Sequence, residues 1–282
     1  MSGQRAADEP YTTRFETEVV AVDGRQVWLE TSFFYAGGCG QPADRGTVGD
    51  VAVEAVRFED GEHVHVLADE PRFGAGQRVL CSIDWAYRMY CMRAHTAAHV
   101  LYGAGRRLFD DLAYAGVTVD AETVTVDLET AHTVDDDALV ELDRRLNEVV
   151  WQSRPVCWER VPAAEVRERD DVAFDERDRH DVSSSGCVRL VTVGAEDDRA
   201  ANGSSDPWDV AACGGTHVRN TREIGPVTVL GRHRPADGVT RVEFAVGSQA
   251  IARREAEKRA AFAVETAFEA DVSAIPDAVS RR

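Results

Sequence analysis

A change of hydrophobic period at Asp84 constrains this chain more than any other feature. From Thr12 to about Ser82, apolar residues alternate in short runs, FETEVVAVDG, RQVWLETSFFY, GTVGDVAVEAVRFEDGEHVHVL and QRVLCSID, broken by glycine-bearing turns about every ten residues. Alternation of this kind predicts a small β-domain, barrel-like or strongly twisted. WAYRMYCMRAHTAAHVLYGAGRRLF then sets Tyr87, Met92, His95, His99 and Tyr102 at spacings that suit a helix with one buried stripe. Asp84 has the side chain of an N-cap, and the Gly103 to Gly105 region weakens or ends the helix.

Beyond that helix, ETVTVDLET alternates as a strand, and DDDALVELDRRLNEVVWQS follows with Leu139, Leu142, Leu146 and Val149 on one face. Its acidic start suits the positive end of the helix dipole, and Pro155 lies just past its stop. VCWERV and CVRLVTVG read as strands. The charge-dense stretch AEVRERDDVAFDERDRHDVSSSG reads as a solvated helix and loop, and Asp197 to Trp208 as a flexible polar loop. GPVTVLGRHRPADGVTRVEFAVG is a hairpin with its turn at Pro235, Asp237 and Gly238. Residues 248–270 form a final helix, too sparse in large apolar groups for a coiled coil. Strands and helices mixed without regular βαβ alternation give an α+β fold class.

Composition narrows the function. The 282 residues carry 50 acidic against 32 basic side chains, a formal charge of −18, and Lys258 is the only lysine. Such a chain repels itself at low ionic strength, whereas at molar salt the Debye length falls to about 3 Å. A halophilic host with a concentrated salt cytosol is the expectation. Acidity ordinarily opposes a nucleic-acid partner, since phosphate binding rests on cations, but molar salt weakens that objection. No apolar run is long enough for a membrane span and the first residues lack a secretory signal, so the expected location is cytoplasmic, with no membrane partner. The six cysteines include no C-x-x-C pair, which removes zinc-ribbon and thioredoxin-type chemistry.

Two four-residue steps remain. His95-Thr-Ala-Ala-His99 lies on the predicted helix, where positions i and i+4 share a face. Cys213-Gly-Gly-Thr-His217 adds a thiol and a third imidazole at the same spacing, more than a hundred residues later. Nitrogen and sulfur donors together suit Zn2+ over magnesium or calcium. Each motif has an expected chance frequency of roughly 0.2 per chain of this composition, so only their conjunction carries weight. His63-Val-His65 also puts two rings on one side of a strand, without a third donor, and reads as structural. Thr96 stands where an H-E-x-x-H protease needs its glutamate base. No phosphate loop, nucleotide fingerprint or nucleophile elbow is present, and ATP-independent chemistry is the expectation. Nucleophilic catalysis by Cys213 with a histidine base stays open, although a thiol near three imidazoles is more naturally a ligand.

Four blocks, S-F-F-Y-A-G-G-C-G-Q-P-A-D-R-G, H-T-A-A-H-V-L, C-G-G-T-H-V-R-N-T-R-E-I-G and G-V-T-R-V-E-F-A-V-G-S-Q-A, together resemble the alanyl-tRNA editing proteins (AlaX), relatives of the editing domain of alanyl-tRNA synthetase, over roughly residues 12–250. The resemblance implies an N-terminal β-barrel-like domain at 1–88, a catalytic α+β editing domain at 89–247 and a helical tail at 248–282. It implies a zinc-bearing hydrolase that serves translation fidelity by deacylating tRNA(Ala) wrongly charged with serine or glycine. His95, His99, Cys213 and His217 match its metal positions, and Gly38, Cys39, Gly40 and Gln41 its glycine-rich motif near substrate. Cys39 stands where the family usually has glycine, Ala36 where proline is common, and Ala98 where many synthetase domains have threonine.

The reaction needs little machinery, because an aminoacyl ester is labile; selectivity is harder. A pocket that accepts serine yet spares the smaller alanine must require the hydroxyl, so Gln41, Thr96 and Thr216 are candidates for catalysis and discrimination. Four ligands close a tetrahedral site, so either the ion becomes five-coordinate during reaction or one ligand, His217 first, yields to water. Arg88, Arg93, Arg106 and Arg107 around the helix are candidates for gripping the acceptor end. The rival readings are a zinc hydrolase for another ester or amide, and a noncatalytic metal- or RNA-binding module.

Overall fold

A computed structural model describes residues 3–169, 171–173, 186–194 and 207–274. Its strands are β1 (Gly3–Gln4), β2 (Arg14–Asp23), β3 (Gln26–Leu29), β4 (Thr31–Ser32), β5 (Gly46–Val48), β6 (Val51–Glu59), β7 (Glu62–Leu67), β8 (Arg78–Ile83), β9 (Ala113–Val119), β10 (Val124–Glu129), β11 (Val156–Pro162), β12 (Cys187–Val193), β13 (Asp209–Ala212), β14 (Val227–Ala236) and β15 (Val239–Val246). The helices are α1 (Trp85–Gly105), α2 (Asp136–Gln152), α3 (Ala163–Val166) and α4 (Ser248–Phe268). The mixture is α+β, as the irregular order of the sequence patterns predicts. None of the described helices is long and apolar enough to cross a membrane.

The alternating N-terminal text closes into a six-stranded barrel in the order β2-β3-β7-β6-β5-β8, with β2 antiparallel to β8 at the seam. Alternate residues such as Val19, Val27, Leu29, Val56, Leu67, Val79 and Cys81 point inward and pack with Phe33 and Phe34. Closure leaves the long β2–β8 pairing no free edge.

At Asp84 the chain leaves the barrel. The Asp84 carboxylate accepts from Tyr87 N–H at 3.1 Å and caps α1. Most of α1 from Arg88 to Gly105 is buried, more than one stripe, because the helix has elements on several sides. Against it pack α2, the antiparallel sheet β14-β15-β10-β9, and β13 of the sheet β11-β12-β13. Small residues, Ala94, Ala97, Ala98 and Ala104, let these neighbours approach closely. Helix α2 buries Leu142, Leu146 and Val149 as expected.

Several features depart from the sequence reading. Arg88 is not a surface cation available to RNA. It is fully buried, pairs with Asp44 of the loop after Tyr35, and donates to the carbonyls of Pro10 and Phe33, each at 2.7 Å. Strands β9 and β13 are additional. AYAGVTV and DVAA alternate too weakly, through alanine and glycine, to stand out. Val166 and Val172, in a stretch read as solvated, are buried in a cluster with Val188 and Leu190 of β12, and Ala173 is buried beside β13, bridging to Ala211. Residues 174–185 of that stretch, and nearly all of the predicted loop from Asp197 to Trp208, lie outside the described residues. Helix α4 forms as predicted, with only Ala250 buried.

Candidate metal centre

The two four-residue steps meet. His95 and His99 project from one face of α1, and β13 delivers Cys213 and His217 in the loop that follows it. All four are buried, and their donor atoms lie within 4.8 Å of one another. Cys213 Sγ is 3.5 Å from His95 Nε2 and 3.4 Å from His217 Nε2. Zinc bonds of ~2.3 Å to sulfur and ~2.0–2.1 Å to nitrogen, at a tetrahedral angle, put those atoms about 3.5 Å apart. The donor set and its spacing therefore fit that ion.

Each imidazole is oriented through its other nitrogen. His95 Nδ1 lies 3.0 Å from Gln41 Oε1, His99 Nδ1 2.8 Å from Asp209 Oδ2, and His217 Nδ1 3.2 Å from Thr96 Oγ1. An amide oxygen and a carboxylate only accept, so His95 and His99 donate from Nδ1 and keep the Nε2 lone pair facing inward. The Gln41 oxygen is fixed by a second donor, Thr216 N–H at 3.0 Å, while its amide nitrogen donates to Thr216 Oγ1 at 2.8 Å. Thr96 Oγ1 also accepts from Val218 N–H at 3.2 Å.

Electrostatics favour the neutral form of two of the imidazoles. Burial, and then the neighbouring imidazoles and Arg189, hold His95 and His217 well below the ordinary histidine range. Without a cation the Cys213 thiol is pushed up, by its hydrogen bond with Cys39 and by burial, while the Arg189 charge opposes that rise. Arg189 stands behind the metal loop and donates to the carbonyls of Cys213 at 2.7 Å and Gly215 at 3.1 Å. Its other terminal nitrogen donates to the carbonyl of Ala7, tying the N-terminal arm to the same loop.

The glycine-rich segment reaches this centre from the barrel side. Gly38 and Gln41 exchange backbone hydrogen bonds of 3.0 and 2.8 Å in a tight turn. Gly40, at φ +70°, lies so close to β9 that a Cβ would sit 2.0 Å from the Val117 carbonyl oxygen. Cys39 adopts φ +47° and its Sγ accepts from Gly214 N–H at 3.3 Å.

A cavity of about 20 Å3 opens beside the donors, lined by Cys39, His95, His99, Tyr102, Tyr114, Ala173, Ala211, Ala212 and Cys213. Of the predicted substrate residues only Cys39 lines it; Gly38, Gly40 and Gln41 do not. Gln41, Thr96 and Thr216 are buried, and their polar atoms are turned to the histidines and to one another. Of the predicted arginines, Arg93 donates to the Glu223 carbonyl at 2.6 Å, and Arg106 and Arg107 are exposed near the end of α1, Arg107 stacked on Trp208 at 4.0 Å.

Sequence reasoning passed over Asp209 and Arg189. The available signals were a carboxylate four residues before Cys213 and a lone charge inside the apolar run CVRLVTV.

Residues 188–243 match the family described as the threonyl and alanyl tRNA synthetase second additional domain. The chain is 31% identical over 256 residues to the alanine–tRNA ligase of Pyrococcus abyssi, a match covering 89% of this chain and 26% of the ligase. To that of Methanopyrus kandleri it is 33% identical over 257 residues, covering 87% and 26%, and to that of Pyrobaculum calidifontis 33% over 263 residues, covering 90% and 28%. The chain thus spans about a quarter of the length of these relatives. The resemblance carried by the four motif blocks holds.

Proposed function

We propose, for a chain that belongs with the editing-domain relatives of alanyl-tRNA synthetase, that it hydrolyses the ester joining serine or glycine to tRNA(Ala), and that the chain suffices for this without the rest of a synthetase. The observation that carries the reading is the convergence of His95, His99, Cys213 and His217 in a chain similar over most of its length to alanine–tRNA ligases. Zn2+ held by these four would polarise the ester carbonyl or supply a bound water whose pKa falls toward ~7.

The chain's own groups do the rest. Gln41, Asp209 and Thr96 hold the three rings so that their Nε2 atoms converge. Tyr102, Tyr114 and the alanines of β13 exclude bulk water from beside them, and the cavity has space for one small group. Serine is admitted by size, whereas sparing alanine requires a group that misses the hydroxyl when it is absent. Cys39, Tyr102 and Tyr114 bring the polar side-chain groups of that wall other than the ligands, while Gln41, Thr96 and Thr216 act one step back by positioning. Arg93, Arg106 and Arg107 remain the cations offered to the acceptor end.

The test is deacylation of Ser-tRNA(Ala), Gly-tRNA(Ala) and Ala-tRNA(Ala) by one preparation with its zinc content measured. Hydrolysis of the first or second with the third spared is expected; equal rates on all three, or none on any, would remove the editing reading. The setting proposed is a cytosol of high salt, so the melting temperature should rise with added KCl as the surplus acidic charge is screened.

A further inference from the structure

The three imidazoles differ in what stands behind them. His95 leans on a neutral amide oxygen that is shared with Thr216 N–H. His217 leans on a hydroxyl already occupied by Val218 N–H. His99 alone leans on a carboxylate, Asp209, at the shortest of the three distances, 2.8 Å against 3.0 and 3.2 Å.

Asp209 is held firmly. It begins β13, pairs in register with Val193, and is 2% exposed. Its Oδ1 has no hydrogen-bond partner, and among the described residues its ion pair is with His99. A buried carboxylate half satisfied in this way is costly unless a positive charge lies nearby. The neutral imidazole does not supply one; the Arg107 guanidinium interacts with the Asp209 charge from the end of α1, and a dication on the far side of the His99 ring would add the charge that reaches the carboxylate through its hydrogen bond.

We infer that Asp209 is a positioning residue that makes His99 the anchoring ligand of the bound ion, with His95 and His217 the weaker holders. A negatively charged acceptor strengthens the Nδ1–H hydrogen bond roughly twofold over a neutral one. Through the ring it raises the donor strength of Nε2 and locks the tautomer and orientation. The order of holding then follows the acceptors, carboxylate above amide above hydroxyl. This rests on the metal reading of the centre and not on the reaction assigned to it.

The experiment measures affinity for zinc alone, by competition with a chromophoric chelator, in the full chain and its variants. Asp209→Asn keeps shape and an acceptor oxygen but removes the charge; it should weaken zinc binding by about 10–100-fold. Thr96→Val should weaken it less. The visible spectrum of the cobalt-loaded Asp209→Asn chain should differ from that of the cobalt-loaded wild type, which a distant packing defect would not produce. Unchanged affinity and spectrum, or a larger loss in Thr96→Val, would overturn the inference.

Should Asp209→Asn not fold, nitrogen-resolved NMR of the zinc-loaded wild type decides. The Nδ1 proton of His99 should lie furthest downfield of the three ring protons, and an His99 ring bound through Nδ1 would sink the idea. A wild-type chain that takes up no zinc removes the metal reading together with this inference. Zinc uptake without deacylation removes only the proposed reaction.

Discussion

His63 and His65 on β7 and His95 and His99 on α1 are both closely spaced histidine pairs, and all four residues are buried. In the barrel, His65 spends both ring nitrogens locally: Nε2 meets Ser32 Oγ at 2.8 Å and Nδ1 the Val27 carbonyl at 3.2 Å. His63 packs against Phe58, its ring 6.4 Å from that of His65. On α1 each ring uses one nitrogen for orientation and turns the other toward a thiol and a third imidazole. Burial and spacing are common to the two pairs. What separates a ligand from a core histidine here is the second chain segment, which brings a thiol and a third imidazole to meet the ring nitrogens of α1.

The sharpest way to break this contrast is to remove one member from each region. Cys213→Ala or His95→Ala should abolish zinc binding and, with several kcal/mol of charge stabilisation gone, slow deacylation on the order of 10³-fold. His65→Gln should keep both zinc and rate, and cost stability alone, about 1–3 kcal/mol for the disturbed buried hydrogen bonds. Zinc retained by Cys213→Ala, or lost from His65→Gln, would erase the distinction.

Acid tests the barrel pair next. Burial lowers His63 and His65 to about 4 from an ordinary 6.5. Both are therefore neutral in the folded chain at a pH where the unfolded chain already binds protons. Stability should fall as pH drops from about 6.5 toward 4, with a limiting slope of roughly 1.4 kcal/mol per pH unit for each histidine. The loss is absent above pH ~7. Measured melting temperatures against pH in the presence of a chelator, so that metal release does not contribute, should fall less steeply in this window in a His63→Gln, His65→Gln double variant, the remaining slope coming from other buried histidines such as His95 and His217; an unchanged slope would mean the barrel rings do not titrate as their burial implies.

The two regions were also unequally legible. The barrel could be read because period-2 text and frequent turns state strand positions directly, although nothing in them announces that β2 closes on β8. Helix α1 was visible from its period, but not the extent of its burial, which depends on β9 and β13, strands whose alanines and glycine mute the alternation. The four donors were readable as residue types at a helical step, since donor chemistry resides in the side chain itself. Their supporting groups were not. Asp209 and Arg189 gain their roles from where β12 and β13 place them, and an aspartate after a polar stretch looks no different from a solvated one. Arg88 was misread for the complementary reason: a charge near a site suggests a ligand contact, and only the fold reveals the buried Asp44 opposite it.

The smallest expected effects come from two adjacent glycines, and they test how tightly the centre is packed. A Cβ on Gly215 would come 2.2 Å from Cε1 and 2.3 Å from Nδ1 of His95, and 3.2 Å from Gln41 Oε1. Gly215→Ala must therefore push the ring away from the oxygen that orients it. Because losing such an orienting contact costs metal sites about 10–100-fold in affinity, zinc binding should weaken toward that range without loss of fold. A Cβ on Gly214 would meet only Cys39 Sγ, at 3.5 Å, an ordinary contact. Gly214→Ala should change stability by no more than about 0.5 kcal/mol, as surface substitutions usually do, and leave zinc affinity as it is. Chelator competition on the two variants side by side separates the cases. Equal affinities would mean that the His95 ring has room to yield, and that the centre is looser than its hydrogen bonds imply.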